Sequence, residues 1–353
     1  MGRILSDIGC NVGALAERLA RAWARFFFSP ADPTSLGLIR ILAGSLLTWQ
    51  MAVVGLDLNE SLGSTGWVDP GASAEYLRAM TPGAWTFWPH VPDRLLGPAW
   101  AACMLICVAF TVGYRARYAA PLAWAVAVST ANRSPALTFG FDQILATLLL
   151  YLAATGASGQ ALSLDSHRAT RRATRPTGPS INATARFDSC RPTVSANLSL
   201  RMIQLHLALI YLVSGLYKLP SPEWRDGSAM EMIVLTPEFG FFDLSWLLAY
   251  PTLLHLAAQS SVVLELSYPF LIFVRRLRYP TLAGIVLLHL GIIATLGLVE
   301  FGLTMIVANL AFIPGGSLRA LFSERWQGSR MRGIAGANSS SSRERTRASA
   351  RAS

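Results

Sequence analysis

The residue with the clearest potential for chemistry is Lys218, because it is the only lysine among the 30 basic residues of a 353-residue chain. Arginine stays protonated under ordinary conditions, whereas a lysine that loses its hydration can release its proton and act as a base or nucleophile. A chain that uses arginine for every other positive charge therefore makes Lys218 a candidate catalytic base. The alternative is an anchor lysine that reaches from the end of its helix toward lipid headgroups, and position alone favours neither.

The apolar stretch that ends at Lys218 has polar side chains on one face of a predicted helix. At 100° per residue, Gln204, Tyr211 and Ser214 lie within about 40° of the direction of Lys218. His206 lies about 120° away by the same arithmetic, where it can face a neighbouring helix. A polar stripe on an apolar helix predicts a hydrated or hydrogen-bonded interior rather than contact with lipid.

Four other ionisable residues in apolar stretches need a partner, a cavity or a nearby interface, because a charge there costs about 2.5 to 3.5 kcal/mol on insertion scales. They are Arg40, Asp142, Arg201 and Glu265. For Arg40 and Arg201, which lie near predicted span ends, snorkelling to phosphates is the favoured interpretation. Buried pairs of Asp142 with Arg133, or of Glu265 with Arg40, are a structural alternative to catalysis.

Three histidines, His206, His255 and His289, also lie in apolar stretches. A lone histidine there is more often a hydrogen-bonded packing residue than a ligand, and no HxxxH or histidine-plus-acid spacing predicts a metal site. The sequence also lacks a dinucleotide fingerprint, a phosphate-binding loop and a GxSxG nucleophile motif.

The composition is that of a membrane protein. The chain is 52% hydrophobic and only 14% charged, with a mean hydropathy of +0.41, which is too apolar for an ordinary soluble domain. The net charge of +10 does not predict nucleic-acid binding, because the arginines lie in loops and tails between apolar stretches. The four cysteines do not suggest a disulfide framework.

We predict an all-α polytopic membrane helical bundle with about eight transmembrane helices. An amphipathic N-terminal helix within residues 1–29, with Arg18, Arg21 and Arg25 on its polar side, is expected to lie on the cytoplasmic membrane face. The transmembrane domain is expected to extend over residues 30–316, and residues 317–353 are expected to be a disordered basic tail. The predicted spans are about 36–56, 98–114, 118–130, 138–156, 198–219, 252–274, 280–298 and 301–313.

The distribution of charge gives the predicted orientation. With eight crossings and a cytoplasmic N-terminus, every strongly basic segment falls on the inside, and the acidic loops at 57–97 and 220–243 fall on the outside. Both termini are then cytoplasmic. Lys218 is placed at the outer end of its span.

Several short motifs occur in chain order: Leu36-Gly37-Leu38-Ile39-Arg40-Ile41, Gly113-Tyr114-Arg115-Ala116-Arg117, Asn132-Arg133-Ser134, Gly140-Phe141-Asp142, Ser163-Leu164-Asp165, Tyr211 through Lys218, Glu223-Trp224-Arg225-Asp226-Gly227 and Leu264-Glu265-Leu266. Together they resemble the HTTM domain, the "horizontally transferred transmembrane domain" shared with vitamin K-dependent gamma-carboxylase. The resemblance extends over about residues 29–316, and the segment around Lys218 and Trp224 is its most specific part.

The resemblance implies that Lys218 is the base that deprotonates a vitamin K-like hydroquinone and starts its oxygenation. It implies a membrane pocket for a quinone or lipid-like molecule. The polar residues expected to support this site are Arg40, Arg133, Asp142, Tyr211, Trp224, Asp226, Glu265 and His289.

Two departures from the carboxylases argue against glutamate carboxylation. Carboxylases continue into a large lumenal domain, whereas this chain ends about forty residues after its last predicted span, and Arg133 stands where a histidine is expected. Two functions are therefore kept: a carboxylase-like enzyme acting on a quinol or lipid-like substrate at the outer face of a bacterial inner membrane, or a noncatalytic membrane component in maturation, export or immunity of a secreted peptide. The expected partners are the lipid bilayer and a quinone or lipid ligand, with no nucleic acid.

Overall fold

The computed structural model describes residues 2–173, 191–236, 240 and 242–321. The helices are α1 (Gly2–Phe28), α2 (Thr34–Val54), α3 (Leu58–Leu62), α4 (Pro70–Met80), α5 (Leu96–Val112), α6 (Ala116–Arg133), α7 (Gly140–Ala154), α8 (Leu164–Ala173), α9 (Val194–Lys218), α10 (Pro222–Asp226), α11 (Ser228–Val234), α12 (Pro251–Leu271), α13 (Arg278–Leu296), α14 (Val299–Asn309) and α15 (Gly315–Leu321). Across these described residues no strand forms, and one isolated bridge pairs Ala31 with Thr193.

Four helical stretches are long and apolar enough to cross a membrane: α2, Asp93–Val112 with α5 inside it, α9 and α13. A fifth crossing is possible if α14 with its 3₁₀ turn and α15, which are bent by 104° from each other, count as one span. The protein is therefore an integral membrane protein of the all-α class, as its composition predicts.

The predicted number of eight spans stays a prediction. Helices α6, α7 and α12 occupy three of the predicted spans, but they do not meet the same length and hydropathy criteria in the described chain. Helix α7 has only 15 residues. The hydropathy of α6 and α12 is lowered by polar residues such as Arg133 and Glu265, which serve contacts inside the protein.

Helix α2 has one face that is fully buried in the bundle. Leu36, Ile39, Ala43, Leu47 and Met51 recur every three or four residues and are all fully buried, so they occupy one face of the helix. That face packs against α5, α7 and α14.

Segments predicted to be cytoplasmic meet at one end of the bundle. The Asp165 carboxylate accepts hydrogen bonds from the backbone N–H groups of Arg115 at 3.0 Å and Ala116 at 2.7 Å. The bridge between Ala31 and Thr193 joins the segment after α1 to the segment before α9 at the same end. Distant stretches with a common predicted location thus come together in space.

The segments predicted to be outside meet at the opposite end. The Ser64 hydroxyl donates to Asp93 at 2.5 Å, and the Ser73 hydroxyl donates to the carbonyl of Arg133 at 2.9 Å. Which side of the membrane each end faces stays a prediction.

The first residues of the predicted C-terminal tail are helical. Residues 317–321 were expected to be disordered, but they belong to α15 because Leu318 is buried and Arg319 forms an ion pair with Asp32. The rest of the predicted tail, 322–353, and residues 174–190 of the basic loop lie outside the described residues.

Candidate active site

Helix α9 carries Lys218 at its last residue. The helix begins after Thr193, whose hydroxyl accepts the Ala196 N–H at 3.2 Å and so satisfies one of the free donors of the first turn. It ends at Lys218 because Pro222 begins a separate short helix and Pro220 cannot supply a helical N–H. The chain therefore turns back directly beyond the lysine.

The predicted polar stripe of α9 does face the protein. Gln204 donates to the carbonyl of Ala311 at 2.7 Å, and both Gln204 and Tyr211 are buried. Lys218 lies on the same side, two helical turns beyond Tyr211. The stripe thus points to α12, α13 and α14 rather than to lipid.

Lys218 and Glu265 form an ion pair. The Nζ atom lies 2.5 Å from Oε1 of Glu265, and the two side chains are only 18% and 6% exposed. The helices approach closely because residue 215 is a glycine, where a Cβ would lie 2.8 Å from Cγ of Leu266. The hypothesised Glu265–Arg40 pair was wrong, because Arg40 lies at the other end of the bundle.

This ion pair lies well inside the bundle. Glu265 is 14 residues beyond Pro251, the first residue of α12, which corresponds to about 21 Å along the helix axis. The helices α10 and α11 pack against the first half of α12, where Gln259 donates to the carbonyl of Trp224 at 2.8 Å. The side chain of Lys218 therefore contacts a carboxylate beneath these helices. An anchor lysine would instead extend toward lipid headgroups.

Trp224 covers the lysine from the loop side. The Nζ atom lies 4.5 Å from the centroid of the Trp224 ring, within the range of a cation–π interaction. Gln259 also donates to the carbonyl of Arg225 at 3.0 Å, so α10 is held at two consecutive carbonyls. The ammonium group is thus placed between a carboxylate and an aromatic face.

The turn after Trp224 explains the Asp226-Gly227 sequence. Gly227 has φ +89°, and a Cβ there would lie 2.7 Å from Cα of His255, so a side chain is excluded both by conformation and by space. The N–H and hydroxyl of Ser228 both donate to Asp226 and hold the pKa of its carboxyl below the ordinary value of 3.8. Asp226 therefore fixes the turn that holds Trp224 over Lys218.

A second polar cluster lies deeper, around Tyr211. Its hydroxyl lies 2.9 Å from Nε2 of His289 and accepts a hydrogen bond from Asn309 at 3.1 Å, while Tyr268 donates to Asn309 at 2.7 Å. All four side chains are buried. Nδ1 of His289 and Oε2 of Glu265 are both buried with no hydrogen-bond partner among the described residues.

Sequence reasoning did not single out Tyr268 or Asn309. Two signals were available. Tyr268 follows Glu265 by three residues and so shares its helix face, and Asn309 is the one amide in the apolar stretch that ends α14.

Arg40 was predicted to snorkel toward phosphates, and this was wrong. The side chain is fully buried. Its guanidinium donates to the carbonyls of Ser158 at 2.6 Å, Ala161 at 3.2 Å, Leu162 at 2.5 Å and Thr111 at 3.4 Å. Backbone carbonyls thus take the place of phosphates. Arg40 holds the connection between α7 and α8 against α2 and α5, far from Lys218.

Arg133 has a similar role at the other end. It donates to the carbonyls of Leu62 at 3.2 Å, Gly63 at 2.6 Å and Val68 at 2.9 Å. The hypothesised pair with Asp142 was therefore wrong. Arg133 thus holds the 57–97 loop against the end of α6.

Asp142 organises the start of α7. One carboxylate oxygen accepts the backbone N–H of Phe139 at 2.9 Å, and the other accepts Gln50 at 2.7 Å. These bonds satisfy a free donor at the helix N-terminus and tie α7 to α2. His206 faces a neighbouring helix as anticipated, with Nδ1 2.6 Å from the hydroxyl of Tyr151.

Of the predicted site residues, the structure brings together Lys218, Glu265, Trp224, Tyr211 and His289. Asp226 supports this group through its turn, whereas Arg40, Arg133 and Asp142 form separate structural contacts. In the described part of the chain, no three His, Cys, Asp or Glu side chains are grouped to hold a metal ion.

Comparison with known proteins gives one match. A family model described as the HTTM domain matches residues 143–315, which include the whole Lys218 cluster. No curated protein and no solved structure matches the chain. For residues 29–142, including Arg40, Arg133 and Asp142, the resemblance stays a prediction.

Proposed function

Because this chain carries an HTTM domain, we propose that it is a membrane enzyme in which Lys218 removes a proton from a quinol or lipid-like substrate. The observation that supports this most directly is the 2.5 Å contact between Lys218 and Glu265 in a mostly buried site. The contacts of Lys218 with a carboxylate and with the ring of Trp224 support this proposal.

In this proposal the paired carboxylate is the group that receives the lysine proton. An isolated charge is costly in an apolar interior, and a carboxylate 2.5 Å away can accept the lysine proton and leave two neutral groups. Neutral Nζ then accepts the hydroxyl proton of the substrate and becomes ammonium again. The substrate leaves this step as its oxyanion, beside the new positive charge, and the total number of protons is conserved.

Glu265 is a positioning and proton-accepting partner in this proposal. Its second oxygen is buried without a described partner, so one carboxylate atom serves Lys218 and the other is free to take a proton or a substrate hydrogen bond. Trp224 lies over the ammonium at 4.5 Å and stabilises it after protonation.

The location of the reaction follows from the predicted orientation. The basic ends of α1, α5, α8 and α12 favour a cytoplasmic position for the end of the bundle opposite Lys218. The reaction is therefore proposed to occur at the outer side of the cell membrane of a bacterium, with both termini in the cytoplasm.

The test compares the purified wild-type protein in nanodiscs with Lys218→Arg. The probe is a reduced naphthoquinone with a short isoprenoid tail, and its oxygen-dependent loss is followed by chromatography. Arginine keeps the charge and the pairing with Glu265 but does not release its proton, so activity is expected to fall by at least about 100-fold, as for loss of a general base. An equal thermal unfolding midpoint would show that the variant is folded.

An unaffected Lys218→Arg variant would overturn the proposal. If the wild type also shows no turnover, mass spectrometry of the lipids and quinones retained on purification gives the second test. A protein that retains none, and instead copurifies with a secreted peptide, would support the noncatalytic maturation, export or immunity role.

A further inference from the structure

Helix α1 presents an apolar face that the described part of the protein leaves uncovered. Leu15, Leu19 and Trp23 lie within about 80° of one another at 100° per residue. Their exposed fractions are 57%, 62% and 65%. Three large apolar side chains on one exposed face are typical of a helix that contacts another apolar phase.

The other side of α1 carries mostly positive charge. Arg18, Arg21 and Arg25 are exposed, and they lie within about 60° of one another and roughly 130° from the centre of the apolar face. Glu17 is the one acidic residue there and contacts Arg21 at 3.6 Å. The segment therefore combines apolar and cationic faces, which complements an anionic lipid surface.

The C-terminal end of α1 is fixed to the membrane-spanning bundle. Asn197 donates to the carbonyls of Phe26 at 2.7 Å and Phe27 at 2.9 Å, and Arg201 donates to the Phe26 carbonyl at 3.1 Å. The guanidinium of Arg201 also lies 4.1 Å from the centroid of the Phe26 ring. These bonds satisfy carbonyls that the last turn of a helix leaves free.

This attachment places α1 beside a basic membrane boundary. Phe26 packs near Phe273, with ring centroids 6.3 Å apart. Phe273 lies in the turn between α12 and α13, which also contains Arg275 and Arg276 and leads directly to Arg278, the first residue of α13. Asn197 belongs to the first turn of α9, a helix long and apolar enough to cross the bilayer. If α9 crosses the bilayer, the end of α1 lies at the level where that helix enters the lipid headgroups.

We propose that α1 lies on the membrane surface at this end of the bundle, with Leu15, Leu19 and Trp23 among the acyl chains and its arginines paired with anionic headgroups. The occupant of the apolar face is the bilayer around the protein itself. This inference does not depend on the chemistry proposed for Lys218.

Hydrogen exchange of the full-length protein in nanodiscs tests the inference. The backbone amides of residues 15–25 are compared in phosphatidylcholine and in phosphatidylcholine with phosphatidylglycerol, and we expect slower exchange in the anionic bilayer. Trp23→Glu should speed exchange of this segment by about tenfold or more, because a buried aromatic side chain is replaced by a charge. Exchange of α9 serves as the internal measure of folding.

Ala24→Glu is the matched control, because it introduces the same charge one residue away, on the side of the arginines. It should leave exchange within about twofold of the wild type, since that side faces water in the docked helix. The triple variant Arg18→Gln, Arg21→Gln, Arg25→Gln should lose the difference between the two lipid compositions.

The inference is overturned if residues 15–25 exchange equally fast in both bilayers and Trp23→Glu has no larger effect than Ala24→Glu. It is also overturned if protection of the segment appears only when a copurifying protein is present, because the apolar face would then bind a protein rather than lipid.

Discussion

Lys218 and Glu265 are held 2.5 Å apart by two helices that run in opposite directions and meet at a glycine. Lys218 is the last residue of α9, whereas Glu265 lies inside α12. The only lysine of the chain therefore does not extend toward the bilayer surface. It is paired with a carboxylate in the protein interior, where the two side chains are only 18% and 6% exposed.

Replacing one partner of this pair is expected to lower the free energy of unfolding much more than replacing both partners together. Glu265→Gln should lower the free energy of unfolding by roughly 3–5 kcal/mol, because it leaves a buried ammonium without its carboxylate. The double variant Lys218→Met, Glu265→Leu should recover most of that loss, because neither charge then remains buried. Denaturant-induced unfolding in detergent micelles measures both.

The exposed pair of Arg21 and Glu17 is the matched control. These side chains are 66% and 73% exposed and lie 3.6 Å apart, so Glu17→Gln should change the free energy of unfolding by less than about 1 kcal/mol. Equal effects of Glu17→Gln and Glu265→Gln would contradict the buried ion pair described for Lys218.

The close approach of α9 and α12 predicts that Gly215→Ala damages the site. The new Cβ would lie 2.8 Å from Cγ and 3.0 Å from the backbone nitrogen of Leu266, so the helices must separate. We expect a loss of about 1–3 kcal/mol in the free energy of unfolding, as for other overpacked cores. Turnover should fall as well, because Lys218 and Glu265 move apart.

Gly291→Ala provides the control for Gly215→Ala. Gly291 lies within α13, and a Cβ there meets nothing within 4 Å. Its substitution should be neutral or stabilise the helix by up to about 1 kcal/mol, because alanine is the better helix former. If both variants are equally stable and active, the contact with Leu266 does not constrain the site.

The all-α class, and the grouping of segments at each end of the bundle, could be predicted from the sequence. Both depend on the length of apolar stretches and the distribution of arginine, which are local properties of the chain. The partners of the buried charges could not. Arg40 and Arg133 were expected to snorkel or to pair with acids, but they bind clusters of backbone carbonyls. Carbonyl clusters are formed by the folding of distant loops and leave no residue-type pattern in the chain.

The candidate site, too, could be predicted from the sequence only in part. The uniqueness of Lys218 and the polar face of α9 were visible in the sequence. The choice of Glu265 as partner, and the contribution of Tyr268 and Asn309, depend on how α12 and α14 pack on α9. Sequence spacing gives the face of one helix but not the rotation of its neighbours.

The cluster of backbone carbonyls around Arg40 predicts that Arg40→Lys destabilises the protein, although the substitution keeps the positive charge. Lysine lacks the planar fork that reaches the carbonyls of Ser158 and Leu162 together. Since a buried acceptor left without a partner costs about 1–3 kcal/mol, the free energy of unfolding should fall by at least about 2 kcal/mol. Arg18→Lys, at an exposed position of α1, should have no measurable effect, and the reverse order would contradict the assignment.

The contact between Ser64 and Asp93 predicts that the 57–97 loop loosens in acid. The hydroxyl and the backbone N–H of Ser64 both donate to the Asp93 carboxylate and hold its pKa below the ordinary value of 3.8. A pKa that is lower in the folded state stabilises the loop above the ordinary value, and this contribution is lost as pH falls through the lowered pKa. Hydrogen exchange of residues 57–95, corrected for the intrinsic rate, should therefore accelerate below about pH 4.

Ser64→Ala separates this effect from general acid unfolding. The variant removes the hydroxyl, which is the largest cause of the lowered pKa of Asp93, so its corrected exchange should depend less steeply on pH than that of the wild type. Asp93→Asn should remove the dependence, because no proton is then taken up at this position. If the corrected exchange of the wild-type loop depends on pH no more than that of Asp93→Asn, the Ser64 bonds do not contribute to the order of the loop.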